Sequence, residues 1–476
     1  MLFNSIEFFI FFFIVYVLYV FLNHHWQNRM LLLASYYFYG SWDWRFLSLL
    51  WISTVVDFYC GRAIQETSQK SKRQTYLTLS IITNLGILGF FKYFNFFTAN
   101  LQALFSTWGV NVTTGTLDII LPVGISFYTF QTMSYTIDIY YGKMKAEKSF
   151  LNFALFVAFF PQLVAGPIER AKRLLPQISR KRELSWDQFY QGCFLVFWGI
   201  YQKVFISDNL AKIVDPVFAA EGLQSGWTVL FALYAFAFQI FCDFAGYSNI
   251  ARGLCRCMGF DIMVNFNIPY AATNPSQFWQ RWHISLSSWL KDYLYIPLGG
   301  NRKGGLIIYR NLALTMILGG LWHGAAWTFI IWGLYQGLLL IIYRGIRPLM
   351  DKWPSSKHNT LASLSLMIKI VFFFHLTCLG WLIFRAASVN QINDMLYCVL
   401  FNTRWQQLSA AMATFKSILF YTGLLLGVQF FQYRYQDLLI VFKSPLWVRV
   451  IFYFICFYSV LIWGVTGGKE FIYFQF

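Results

Sequence analysis

Apolar residues run for about twenty positions at a time along this chain, a length that matches one bilayer crossing as a helix. The runs lie at 3–22, 45–61, 76–97, 119–141, 150–166, 189–206, 227–247, 309–345, 363–385, 415–432 and 447–466. Hydrocarbon offers no partner to an unpaired peptide group, so they must be helices rather than open strands. The stretch 309–345 holds two helices, and 30–42 is short enough to be re-entrant. The expectation is an all-α polytopic membrane protein with about 11 to 13 transmembrane or re-entrant helices. Composition agrees, with only 12% charged residues and 58% hydrophobic ones. The segment Met1 to Leu22 lacks a basic leader and a small-residue cleavage site, so it should be retained as the first membrane helix.

Lysine and arginine number 37 against 20 acidic residues, a formal charge of +17. In a soluble protein that excess suggests nucleic acid; here it reads as cationic cytoplasmic loops, and no nucleic-acid partner is expected. The basic linkers are Arg62 to Arg73, Lys143 to Lys148, Glu169 to Glu183, Arg302 to Arg310 and Arg344 to Lys352. They cannot all face one side if every intervening run crosses once. Broken or re-entrant helices are therefore expected in the middle of the chain, which a membrane tolerates only around a protein-lined cavity. No linker is long enough to bury a core of its own. We expect one integral-membrane domain over 1–476, with core motifs at 121–345 and peripheral helices at 1–100 and 363–466. The eight cysteines are scattered without a CxxC pair, and Cys255 and Cys257 have no His or Cys companions at ligand spacing, so no metal site is expected.

Polar residues interrupt the apolar runs in register. Gln131, Tyr135 and Asp138 share one helical face, as do Gln239, Asp243 and Tyr247. Each stripe alone fits interhelical hydrogen bonding; two alike point to a shared polar interior. A third segment runs from Asn274 to Pro297, with Asn274 as cap, Pro275 in the first turn and Gln277 completing a capping-box pattern. As one helix it places Gln277, Gln280, Arg281, Ser288 and Lys291 on one arc and Phe278, Trp282, Leu286 and Trp289 on the other, with His283 at the border. Such a helix lies along the interface or lines a wet cavity.

Of six histidines, His24 and His25 fall in an expected loop, His358 in a polar linker and His375 in an apolar helix, none with a partner pattern. His323 lies in Gly319-Gly-Leu-Trp-His-Gly-Ala-Ala-Trp327, where Gly319, Gly320 and Ala326 share its helical face and leave space for another helix or a substrate. A packing histidine is the plain reading. An imidazole there also suits a general base acting on a hydroxyl. Two histidines without a carboxylate cluster do not make a metal site. The loop Gly299-Gly-Asn-Arg302-Lys303-Gly-Gly305 offers donors and two cations to a phosphate, although a flexible cytoplasmic loop explains it as well.

Gln277-Phe-Trp-Gln-Arg-Trp-His283-Ile-Ser-Leu-Ser-Ser-Trp-Leu, Asp292-Tyr-Leu-Tyr-Ile-Pro-Leu-Gly-Gly and Leu321-Trp-His323-Gly-Ala-Ala-Trp together resemble the membrane-bound O-acyltransferase family. Pro161-Gln-Leu-Val-Ala-Gly-Pro-Ile-Glu-Arg170, Gln239-Ile-Phe-Cys-Asp-Phe-Ala-Gly-Tyr-Ser248, Phe91-Lys-Tyr-Phe and Phe471-Ile-Tyr-Phe-Gln-Phe extend the likeness over the whole chain, toward the bacterial alginate-acetylating (AlgI-type) branch. The resemblance implies a helical bundle with a central funnel or tunnel, His323 at the family's catalytic histidine and His283 beside it. It further implies a multi-pass protein of the bacterial inner membrane. Acetyl would pass from cytoplasmic acetyl-CoA to a periplasmic SGNH-like partner that acetylates a polysaccharide. With this reading, Asp243, Gln239, Tyr247, Arg281, Trp322, Gln131 and Asp138 would line the cavity, and Arg302, Lys303, Lys172 and Arg173 would meet the phosphates of CoA. No bound cofactor is expected, and membrane lipid surrounds the chain. The alternatives are a peptidoglycan O-acetylating subunit, a D-alanyl transferase and, from another class, a carrier of lipid-linked sugars without acyl chemistry.

Overall fold

The computed structural model describes residues 1–110, 117–164, 166–302, 304–350, 359–465 and 471–472, with backbone only for Met350 and for 359–361. Among them every regular element is helical and no strand occurs. Eight helical stretches are long and apolar enough to cross a membrane, by length and composition: His24–Glu66, Lys70–Thr107, Gly226–Cys257, Gly305–His323, Trp327–Leu349, Ala362–Arg385, Trp405–Tyr435 and Leu446–Trp463. Ile82, Phe372, Phe430 and Leu461 on these helices stay exposed, as side chains that meet lipid do. The described residues form two compact units, Met1–Val196 with Ile250–Met263, and Phe197–Asn249 with Val264–Phe476.

The first unit holds α1 (Ile6–Phe21), α2 (His24–Asp43), α3 (Leu47–Glu66), α4 (Lys70–Leu88), α5 (Phe94–Thr107), α6 (Ile125–Tyr140), α7 (Phe150–Ala158), α8 (Phe160–Leu163), α9 (Ala171–Ser179) and the start of α10 (Trp186–Ile200). Nearly all of α6 is buried, against α3, α4, α7 and α9. A polar cluster ties three of these helices: Ser80 Oγ and Asn84 Nδ2 donate to the two Asp57 carboxylate oxygens at 2.6 and 2.8 Å, and Thr132 Oγ1 donates to Asn84 Oδ1 at 3.1 Å.

Two expectations change here. The run at 30–42 is not a short re-entrant piece. Asn23 Oδ1 accepts from Trp26 N–H and starts α2 at His24, so the helix has 20 residues and His24 and His25 sit in its first turn rather than a loop. The run 150–166 is two helices, broken at Phe159, whose ψ of 105° leaves the helical region. An unbroken helix would pair Phe160 N–H with Phe156 C=O. Instead Phe160 N–H donates to Ser35 Oγ at 3.1 Å, and Gln131 Nε2 donates to Phe156 O at 2.6 Å.

The basic linker after α8 is partly structural. Arg182, buried, donates from Nε to Tyr19 Oη at 2.7 Å and from Nη2 to Gln27 Oε1 at 3.0 Å, while Tyr19 donates to Met258 O. Glu169 is fully buried, accepts from Met263 N–H and lies near Arg173 and Asp261; burial, with a smaller push from Asp261, outweighs the Met263 bond and Arg173 and pushes its pKa up to about 7.

In the second unit a π-helical turn, Tyr201–Ser207, leads into α11 (Asp208–Ala219), followed by α12 (Gly226–Cys257), α13 (Pro275–Arg281), α14 (Ile284–Leu290), α15 (Gly305–His323), α16 (Trp327–Met350), α17 (Asn359–Arg385), α18 (Val389–Phe401), α19 (Trp405–Tyr435) and α20 (Leu446–Trp463). The last turns of α12, from Ile250, belong to the first unit. α15 and α16 pack closely through glycine. A Cβ on Gly320 would strike Phe329 O and approach Gly333, and one on Gly333 would strike Met316 O. Of the two outcomes open for the space beside Gly320, another helix fills it. Ala326 lies past the end of α15, so it does not share the His323 face as the helical expectation had it.

Two predictions follow from this packing. Gly320→Val should lower stability by about 1–3 kcal/mol through overpacking, whereas Gly319→Ala, which meets only the flexible tip of Leu290, should be tolerated; thermal unfolding in detergent separates them. Glu169, protonated longer in the folded than in the unfolded chain, contributes stability that is full below its unfolded pKa near 4.5 and lost as pH rises through about 7. Glu169→Gln should remove that decline, seen as a flatter plot of unfolding temperature against pH between 4.5 and 7.

Candidate active site

The segment expected as one helix from Asn274 to Pro297 is three pieces. Its start is as read: Asn274 Oδ1 accepts from Gln277 N–H at 2.9 Å, and Gln277 Oε1 accepts from Thr273 N–H at 3.1 Å. The helix then breaks at His283, which sits in the left-handed region at φ 44°, and continues as α14 and a π turn, Lys291–Tyr295. A non-glycine residue there costs on the order of 1–3 kcal/mol and persists only where neighbours hold it.

The holder is the extended segment around Asn265. A continuous helix would pair Ser285 N–H with Arg281 O. Here Asn267 N–H takes Arg281 O at 2.9 Å, and Asn265 Oδ1 accepts from Ser285 N–H at 3.3 Å and from Ser285 Oγ at 2.9 Å. Ile284 N–H donates to Asn265 O at 2.9 Å. Because a backbone N–H can only donate, the Asn265 atom facing Ser285 must be the carbonyl oxygen. His283 Nδ1, 3.2 Å from that same oxygen, must therefore carry the hydrogen, which leaves Nε2 as the ring's lone-pair nitrogen.

His283 is fully buried, its ring edge-on to Phe244 at 4.6 Å between centroids. His323, 4% exposed, is the last residue of α15. Its ring contacts Trp322 at 5.0 Å, Trp332 at 5.1 Å and Phe384 at 5.4 Å. The Trp322 indole also reaches the His283 ring, at 6.0 Å. The two histidines singled out from sequence thus flank one indole, in an aromatic surround that excludes bulk water. In the same unit a cavity of about 480 Å³ is lined by Ser276, Trp279, Gln280, Ser287, Ser288 and Lys291, among other residues, and by neither histidine. Of the polar arc expected from the sequence, Gln280, Ser287, Ser288 and Lys291 line it, whereas Gln277, Arg281, Ser285 and Asp292 do not, Ser285 being bonded to Asn265 and Arg281 to Asn267 O. Trp279 connects it to Trp332, 5.9 Å away, and so toward His323.

The other residues named from sequence occupy different places. Asp243 accepts Lys203 Nζ at 2.7 Å, and Lys203 also reaches Asp208 at 2.9 Å, all three side chains at most 3% exposed. Tyr247 lies with its ring 5.7 Å from that ammonium, and Gln239 is buried with its backbone oxygen accepting from Ser207 Oγ. Gln131 sits at the α7–α8 break and Asp138 is 3.7 Å from Lys143 Nζ, both in the first unit. Arg281 is bonded to Asn267 O and lies over the Tyr433 ring. Arg173 pairs with Asp261 at 2.6 Å, Lys172 and Arg302 are exposed, and Lys303 lies outside the described residues. His375 is bonded to Tyr234 Oη at 2.8 Å. Asn265, Phe244, Trp332 and Phe384 were not singled out from sequence. Only the Asn265-Phe-Asn267 repeat of amides in an apolar stretch could have signalled the first. Among the described residues no group of three or more His, Cys, Asp or Glu could hold a metal.

A model described as the MBOAT, membrane-bound O-acyltransferase family, matches residues 145–384, which include both histidines, Asn265 and the aromatic surround. A probable alginate O-acetylase AlgI of Azotobacter vinelandii is 43% identical, over 79% of this chain and 73% of its own. Another of that description from Pseudomonas putida is 42% identical, over 82% and 78%. A peptidoglycan O-acetyltransferase of Helicobacter pylori is 37% identical, over 76% and 71%. Acyl transfer sets aside the alternative of a carrier without acyl chemistry: this chain is a multi-pass membrane enzyme that belongs to the membrane-bound O-acyltransferase family.

Proposed function

We propose that this protein moves acetyl groups from cytoplasmic acetyl-CoA across the bacterial inner membrane for O-acetylation of an extracytoplasmic polysaccharide, through a periplasmic SGNH-like partner. The observation that carries this reading is the pair of buried imidazoles around Trp322, with a partly polar cavity in the same unit whose wall residue Trp279 packs on the Trp332 ring that touches His323. The relatives named as alginate O-acetylases support acetyl as the group and a polysaccharide as the acceptor.

In this mechanism His323 accepts the proton of an acceptor hydroxyl as its oxygen attacks the acetyl thioester carbonyl. The C–O bond forms, the C–S bond breaks, and the CoA thiolate leaves and takes up a proton. His283, with Nδ1–H fixed on Asn265, presents Nε2 toward the same region and orients or relays beside it. The aromatic surround keeps water from competing with the acceptor. Lys172 and Arg302, exposed in the basic linkers, and Lys303 would meet the donor's phosphates; Arg173 would do so only by sharing its charge with Asp261.

The Helicobacter pylori relative favours a second acceptor, peptidoglycan, with the same chemistry. Mass spectrometry of cell-envelope polymers from wild-type and deletion cells distinguishes the two. Loss of acetyl from an exopolysaccharide supports the first and loss from glycan strands the second. His323→Ala at matched membrane abundance should lower polymer acetylation by about a hundredfold or more, the range of a lost general base; undiminished acetylation would overturn the role.

A further inference from the structure

Two stretches noted in the sequence, Gln239 to Ser248 and the segment beginning at Phe471, meet in the second unit at Phe471 and Ile472, and the first of them touches His283 through Phe244. Ile472 N–H donates to Asp243 Oδ2 at 2.7 Å, and Ile472 is 4% exposed. Phe471, fully buried, packs its ring on Tyr247 at 4.7 Å and on Phe244 at 5.4 Å. Phe244 is the ring set edge-on against His283 at 4.6 Å. Asp243 and Phe244 are adjacent, so one turn of α12 holds the C-terminal segment by its backbone and passes that contact on to the imidazole.

The charges explain why this anchor is strong. Lys203 carries one positive charge between two carboxylates, at 2.9 Å from Asp208 and 2.7 Å from Asp243. Asp243 meets Lys203 through Oδ1, and its second oxygen, Oδ2, is buried with it and needs a donor. The Ile472 N–H supplies one by a charge-assisted bond. Seating the segment at Phe471–Ile472 and stabilising the triad are thus the same event.

We infer that Asp243 is a positioning residue for His283, acting through Ile472 N–H and the Phe471–Phe244 ring contacts, and that Phe471 and Ile472 belong to the support of the site. The inference rests on the reading of His283 as a group at the reacting centre. Asp243 touches no substrate; it fixes the wall against which the strained His283 ring is held.

Asp243→Asn removes the charge that strengthens the Ile472 N–H bond, while Asp208, 2.9 Å from Lys203 Nζ, keeps the ammonium paired. Phe471→Leu keeps every charge and alters only the ring contact. Both go into the full-length protein in lipid nanodiscs with ¹⁵N-histidine, the His283 signal being assigned by its loss in His283→Gln. The wild type should give one Nδ1–H tautomer for His283, and both variants should give a mixed or broadened signal. They should also lower cellular acetylation by about tenfold at matched abundance, a usual size for coupled neighbours. An unchanged His283 signal in folded variants, or unchanged acetylation in both, would overturn the positioning role. If instead His283→Gln retains full acetylation, the catalytic reading of His283 fails, while the tautomer signal still decides whether Asp243 positions the ring.

Discussion

A peptide group inside a bilayer has no water to fall back on, and at three departures from regular helix among the described residues a side chain supplies the missing partner. At Phe159 the lost bond between Phe160 N–H and Phe156 C=O is replaced on both sides, by Ser35 Oγ and by Gln131 Nε2. At His283 the lost bond between Ser285 N–H and Arg281 C=O is replaced by Asn265 Oδ1 and Asn267 N–H. After the π turn at Lys291–Tyr295, Asn311 Nδ2 reaches the carbonyls of Leu298 and Gly300 at 3.2 and 3.3 Å. Amide side chains are suited to this work because one group both donates and accepts.

Charge obeys the same rule. A buried ion costs several kcal/mol unless paired and hydrogen-bonded, and Lys203, Arg182 and Asp57 each meet that demand through more than one helix. Part of the excess of basic residues is thus consumed in holding elements together. Arg182 and the Arg173–Asp261 pair belong to the fold first, while Lys172 and Arg302 are exposed.

At the candidate site, strain and chemistry coincide. Only because α13 ends before His283 can the following helix start with the imidazole turned onto Asn265, and that contact alone fixes the tautomer. His323 sits likewise at a helix end, where three aromatic rings enclose it. Both imidazoles meet Trp322 from different elements, an arrangement that places two buried histidine rings against one indole.

Periodicity and length made the helices legible. The runs at 45–61, 227–247, 363–385, 415–432 and 447–466 all appear as helices because an apolar run of that length has one way to satisfy its backbone in lipid. The two histidines were legible too, since each stood in a polar or glycine-rich interruption of an apolar helix. The sequence could not show that Gln131 donates to Phe156 O at the break after α7, nor that Asp243 is claimed by Lys203 forty residues away. A polar residue on a helix face announces only that it needs a partner. Which partner it finds depends on contacts between segments distant in sequence, and those contacts, with the left-handed turn at His283 that Asn265 holds, were decided by tertiary structure alone.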